Sequence, residues 1–152
     1  MLREAGVRFV LVGGYALQAN GIVRATGDVD VVVEDSPANN RRWIAALSAL
    51  PDGAARGLMG EDRPFPVEPD DLGDEPGLIR INDAFTVDVM PRACGLSYAD
   101  LEPHVATLDI DGVGIPVLDL AGLPRPKQGL REKDVADRRQ IELALARMRE
   151  GD

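Results

Sequence analysis

A chain of 152 residues and 16.3 kDa has the size of one ordinary domain, able to bury a core of its own and too short for two. Its 45% hydrophobic and 28% charged residues exclude a disordered chain, and its apolar runs fall far below the ~18 residues a bilayer span requires. Residues 1–6 lack a secretory layout and Cys94 is the single cysteine, so a cytoplasmic protein without membrane contact or an intrachain disulfide is expected.

The net charge of −9 argues against a general, backbone-driven grip on nucleic acid, but the charge is unevenly placed. Residues 52–77 hold eight acids and two bases, whereas residues 125–149 hold eight bases and four acids. A basic face for a phosphorylated ligand, or a solvated helix flank, would each account for the second stretch.

In chain order, residues 8–12 form a β-type apolar run stopped by Gly13-Gly14. Tyr15 to Ala19 is expected as a short helix ended by Asn20-Gly21. Residues 28–33 (DVDVVV) form a second strand, and Ser36-Pro37 then supplies an N-cap and a proline at the first helical position. Trp43, Ala46, Leu47 and Leu50 make the buried stripe of that helix, which Pro51-Asp52-Gly53 ends.

The acidic excess, four prolines and five glycines make residues 52–77 an expected surface loop. Residues 78–81 and 85–90 are two strands around Asn82-Asp83, and residues 104–110 and 114–118 form a hairpin around Asp111-Gly112. A closing helix is expected over residues 127–149. The order points to an α+β domain with a mixed sheet, residues 1–152 forming one unit.

Alternation places Asp28 and Asp30 on one face of the second strand, about 6 to 7 Å apart. Their repulsion is on the order of 2 to 3 kcal/mol at an effective dielectric near 20, so a cation is expected to offset it. Asp88 stands on a strand of the same pattern, with Val87 and Val89 on its other face. Three strand carboxylates suit a hard divalent cation, Mg²⁺ or Mn²⁺; the bland reading is a turn aspartate and two solvated ones. On the metal reading, Asp88→Asn without metal is expected to be at least as stable as the native chain. Gly13-Gly14 between strand and helix would let a phosphate approach the backbone, although neither a Walker loop nor a dinucleotide glycine pattern is present.

The closing helix carries Leu130, Asp134, Asp137, Ile141, Leu145 and Met148 on one stripe. An unpaired buried carboxylate is costly, so Asp137 is expected to orient a functional group such as Lys127 or Arg24. His104 reads as a strand-edge surface residue, Trp43 as core, and Cys94 as no nucleophile.

The run GGYALQANGIVRATGDVDVVV, with thirteen residues between the glycine pair and Asp28-Val29-Asp30, resembles the signature of the DNA polymerase β-like nucleotidyltransferase superfamily. Arg131, Lys133, Asp134 and Asp137 resemble the last motif of the AbiEii-type toxin nucleotidyltransferases and their small relatives. The resemblance implies a palm-like mixed sheet flanked by helices, with metal ions held by Asp28 and Asp30 and with Asp88 as third carboxylate, able to help deprotonate an acceptor. It implies that Gly13 and Gly14 lie against the triphosphate, and that Arg24, Thr26 and Lys127 help hold it. Gly14 stands where many members carry a serine that bonds the γ-phosphate.

The function so implied is transfer of a nucleoside monophosphate from a nucleoside triphosphate to a hydroxyl acceptor. The toxin resemblance suggests an RNA acceptor, in particular a tRNA 3′ end, with a cognate antitoxin protein as partner, and leaves a protein hydroxyl or a small molecule such as an aminoglycoside open. The alternative is a non-catalytic regulatory or partner-binding module of the same fold.

Overall fold

The structure is a computed structural model that describes residues 1–23, 25–59 and 77–119. Strand β1 (Phe9–Leu11) is buried throughout, because it runs between two other strands with the apolar core around it. Gly13, at φ +62°, lets the chain turn straight from β1 into helix α1 (Gly13–Ala19). The helix therefore starts two residues before the expected Tyr15, with both glycines in its first turn. Its end is as expected: Asn20 caps it, Gly21 follows at φ +81°, and the Asn20 amide donates to the Ala16 carbonyl at 2.7 Å and to the Leu118 carbonyl at 2.8 Å.

Strand β2 (Asp28–Val33) changes character along its length: Val31, Val32 and Val33 are fully buried, whereas Asp28, Val29 and Asp30 are half-buried. Helix α2 (Pro37–Ser48) begins at Ser36, whose hydroxyl accepts from the Asn39 N–H at 3.3 Å. It buries Trp43, Ala46, Leu47 and, just past its end, Leu50. Buried Asn39 fastens α2 to the sheet, accepting from the Arg8 N–H at 2.8 Å and donating to the Arg8 and Glu34 carbonyls, each at 2.9 Å.

The described start of the expected surface loop over residues 52–77 carries a short helical turn. Residues Ala54–Leu58 form a 3₁₀ turn with Ala55 buried, and the Asp83 carboxylate accepts from the Asp52 and Ala54 N–H groups at 2.9 and 3.2 Å. A short apolar Ala-Ala pair and two carboxylate bonds order the chain there between Gly53 and Gly57. Residues 60–76 lie outside the described residues, as does the closing helix expected over 127–149.

Strands β3 (Ile79–Asn82) and β4 (Thr86–Met90) form the expected hairpin, but Asn82 pairs with Thr86 in the ladder, so the turn lies at 83–85 and not at Asn82-Asp83. A two-residue-stranded hairpin that sequence patterning did not show, β5 (Arg92–Ala93) and β6 (Leu96–Ser97), follows, turning on Cys94 at φ +50° and Gly95 at φ +79°. Cys94 thus has a turn role. Helix α3 (Tyr98–Leu101) opens with a capping box between Ser97 and Asp100. Strands β7 (Val105–Ile110) and β8 (Val113–Leu118) make the other expected hairpin, with Asp111 and Gly112 both at positive φ. His104 precedes β7 in a 3₁₀ turn.

The six main strands form one mixed sheet in the order β3-β4-β2-β1-β8-β7. Strand β2 is antiparallel to β1 and parallel to β4, while β1 is parallel to β8. Helices flank this sheet, and the expected α+β class holds. Among the described residues no helix is long and apolar enough to cross a membrane.

Candidate active site

Three adjacent strands bring the predicted acids to one row. The parallel register sets Asp30 of β2 beside Asp88 of β4, and Asp28 beside Thr86. The antiparallel register sets Arg80 of β3 opposite Asp88 on the other side. Directly opposed residues share a face, so Arg80, Asp88, Asp30 and, two residues away, Asp28 all project to the same side of the sheet. Beyond Asp30 the row reaches the end of β1, where the Val12 N–H donates to the Asp30 carbonyl at 2.9 Å, and then the glycine pair.

The cation that the crowded acids call for is Arg80, which sequence reasoning missed. Its Nε donates to Asp88 Oδ1 at 2.8 Å and its Nη2 to Asp88 Oδ2 at 2.7 Å, a two-point fork; Nη2 also reaches Asp28 Oδ2 at 3.3 Å. Asp88 is 4% exposed, while the Arg80 side chain is 52% exposed. The Asp88 bonds and charge, opposed by desolvation, hold the guanidinium more firmly protonated than usual. Part of the signal for Arg80 exists in the sequence: alternation in Ile79-Arg80-Ile81 turns it away from the core, but only the observed register, with Asn82 paired to Thr86 and the turn at 83–85, sets it opposite Asp88.

Arg80 reverses one expectation. An amide at position 88 would remove a repelling charge, but it would also break the two-point pair and leave a polar group 4% exposed without its ionic partner. Asp88→Asn is therefore expected to melt at least ~3 °C below the native protein in chelator, as read by calorimetry; an equal or higher Tm would show that repulsion outweighs the pair.

Asp30 keeps the strain. Its carboxyl is pushed up to about 6 by burial, then by the charges of Asp88 and Asp28, against the pull of the Gly14 N–H and Arg80. Because the folded value lies above the ordinary 3.8, the native state binds a proton that the unfolded chain has released. Stability from this group is full below about pH 4 and is lost as pH rises through about 6. The shift corresponds to about 3 kcal/mol, reduced to about 1 to 2 kcal/mol by the screening of a half-exposed group. Asp30→Asn is accordingly expected to match the native urea midpoint near pH 4 and to exceed it above pH 6; a gap independent of pH would contradict this origin.

Glycine is required at both positions of the pair. A Cβ on Gly13 would stand 2.9 Å from the Asp30 Cβ and nearer still to its carboxylate, and a Cβ on Gly14 would stand 2.5 Å from the Thr26 Cβ. The Gly14 N–H bonds the Asp30 carboxylate, and the Thr26 hydroxyl donates to the Asp28 carbonyl at 3.2 Å. The serine that many members of the resembled superfamily carry at position 14 would collide here with Thr26. Gly13, Gly14, Thr26, Asp28, Asp30 and Asp88 thus lie together, whereas Arg24, Lys127 and Asp137 lie outside the described residues.

Among the described residues, no three His, Cys, Asp or Glu side chains gather closely enough to hold one ion between them. Two donors of the right chemistry for a hard cation are nevertheless present: Asp28 and Asp30 are carboxylates on one face of β2. Asp88, both of whose oxygens are bonded by Arg80, does not join them in a three-acid cluster.

No family model and no curated protein sequence matches this chain. Among solved structures, a Thermotoga maritima protein described as a "putative nucleotidyltransferase" is similar over 97% of this chain and 88% of its own, with a TM-score of 0.51 and 14% identity. The fold is nucleotidyltransferase-like. In this nucleotidyltransferase-like fold, the acid row lies on the parallel β2–β4 pair, flanked by the β1–α1 turn on one side and the β3 edge on the other.

Proposed function

We propose that this protein is a metal-dependent nucleotidyltransferase, which moves a nucleoside monophosphate from a nucleoside triphosphate to a hydroxyl acceptor. The observation that carries the reading is the row of Asp28, Asp30 and Asp88 beside the Gly13-Gly14 turn on a nucleotidyltransferase-like sheet. Mg²⁺ or Mn²⁺, held by Asp28 and Asp30, would supply charge neutralisation at the phosphate oxygens. The acceptor oxygen bonds to the α-phosphorus as the α–β anhydride bond breaks, and pyrophosphate leaves with the bonding pair. The hydroxyl proton passes to the acid face. Asp88, as proton acceptor or third metal donor, needs an oxygen free of the guanidinium. On this reading Gly13 and Gly14 lie against the phosphate chain, Arg24, Thr26 and Lys127 hold it, and Asp137 orients Lys127 or Arg24.

The acceptor proposed is an RNA, in particular a tRNA, with the protein serving as the toxin of a toxin–antitoxin pair and a cognate antitoxin as its partner. The basic residues of 125–149 support that acceptor. One observation favours a second reading, a non-catalytic module: Arg80 already neutralises part of the acid face, so the three carboxylates do not by themselves demand a metal.

Pyrophosphate release by the purified protein with Mg²⁺ and each triphosphate separates the two readings. Labelled triphosphate with total RNA, protein and small metabolites then identifies the acceptor. Label in tRNA is expected; label only in protein or metabolites overturns the RNA acceptor, and no pyrophosphate from any triphosphate overturns the enzyme.

A further inference from the structure

Strand β3 is an edge strand in which Ile79 and Ile81 are buried, while Arg80 and Asn82 are exposed. Arg80 thus reaches the acid row from the rim of the sheet. Its anchor and its freedom are unequal: Asp88 is 4% exposed and fixed by the β2 and β3 ladders, whereas the guanidinium stem is half in solvent. Arg80 can leave the row by rotating its side chain into water without unpacking Ile79 or Ile81. Asp88 has no comparable movement without disturbing the strand.

The same guanidinium touches two of the three acids, bonding both oxygens of Asp88 and approaching Asp28 at 3.3 Å. A divalent ion on Asp28 and Asp30 would then stand close to the guanidinium charge, and the two cations repel while competing for Asp28. Only one can be held well.

We infer that Arg80 is the resident cation of the acid row and exchanges with the divalent metal: it steadies the carboxylates when metal is absent, and it must swing off Asp28 and Asp88 for metal to bind fully. This rests on the metal-dependent reading above. Arg80 is a positioning residue that lowers metal affinity and decides when Asp88 has a free oxygen. A merely structural arginine would act in the opposite direction, since its loss would disorder the acids and weaken metal binding.

Mn²⁺ binding, measured by calorimetry and by the electron paramagnetic resonance of free Mn²⁺, tests this without any turnover. Arg80→Met keeps a long apolar stem and removes the charge; Arg80→Lys keeps the charge and loses the fork. Arg80→Met is expected to bind Mn²⁺ about tenfold more tightly than the native protein, with Arg80→Lys between them. In chelator Arg80→Met should melt lower than the native protein, and Mn²⁺ should raise its Tm by more.

Native protein that binds Mn²⁺ while Arg80→Met binds it equally or more weakly overturns the exchange and leaves the metal reading standing. Absence of Mn²⁺ binding by the native protein and both variants overturns the metal reading and the exchange with it. Should Arg80→Met not fold in chelator, Arg80→Lys decides: tighter Mn²⁺ binding than native supports the exchange, and equal or weaker binding overturns it.

Discussion

Asp28→Asn and Asp30→Asn are each expected to lower pyrophosphate release by about 100-fold or more while the protein stays folded. Both side chains are half-buried at the outer half of β2, and the apolar contacts of that strand come from Val29, Val31, Val32 and Val33, so an isosteric amide leaves the core untouched. What the amide removes is a negative oxygen, the property a hard cation and a phosphate-transfer site both depend on. The two variants differ in stability. Asp30→Asn removes the charge whose burial, with the nearby Asp88 and Asp28 charges, raises the Asp30 carboxyl to about 6, and gains stability at neutral pH, whereas Asp28→Asn loses the 3.3 Å contact with Arg80. A rate above about a tenth of native in either variant, a barrier change of only ~1.4 kcal/mol, would be too small for loss of a metal donor.

Gly13→Ala is expected to destabilise the protein by about 2 to 4 kcal/mol, for two separable reasons. Gly13 sits at φ +62°, where a side chain is strained, and its Cβ would stand 2.9 Å from the Asp30 Cβ. Neither side gives easily: the Val12 N–H is bonded to the Asp30 carbonyl at 2.9 Å, and the Gly14 N–H to the Asp30 carboxylate. Gly21 isolates the backbone contribution, because it too has a positive φ, +81°, and nothing lies within 4 Å of where its Cβ would be. Gly21→Ala should cost only the strain, about 1 kcal/mol. Urea unfolding of the two variants measures the difference, and equal losses would show that the approach to Asp30 is unimportant. Gly13→Ala should also lower activity, since it moves the acid row itself.

Much of the frame was legible because local signals were unambiguous. The β2 pattern, the Ser36-Pro37 start of α2, and the turn at Asp111-Gly112 each combine a periodicity with a residue type that few other conformations accept. The short elements were not legible. Strands β5 and β6 have two residues each, too few for alternation to register, and α3 has a capping box but only one turn to follow it. The acidic composition of residues 52–77 hid the 3₁₀ turn at its start, because what holds that turn is Asp83, about thirty positions along the chain.

The site divides along the same line. Alternation within a strand placed Asp28 and Asp30 on one face, and repulsion between them implied a cation, all from residues within a few positions of one another. Which strand lies beside which, and in what register, is set by long-range pairing that no single strand encodes. Only that pairing put Asp88 next to Asp30, brought Arg80 from the sheet edge onto Asp88, and set Gly13 against Asp30 and Gly14 against Thr26. The sequence by itself thus determined the acids, the glycines and their chemistry; the tertiary structure decided that the counter-charge is an arginine and that the glycines make room for side chains of the chain itself, because register and close approach depend on residues far apart in the sequence.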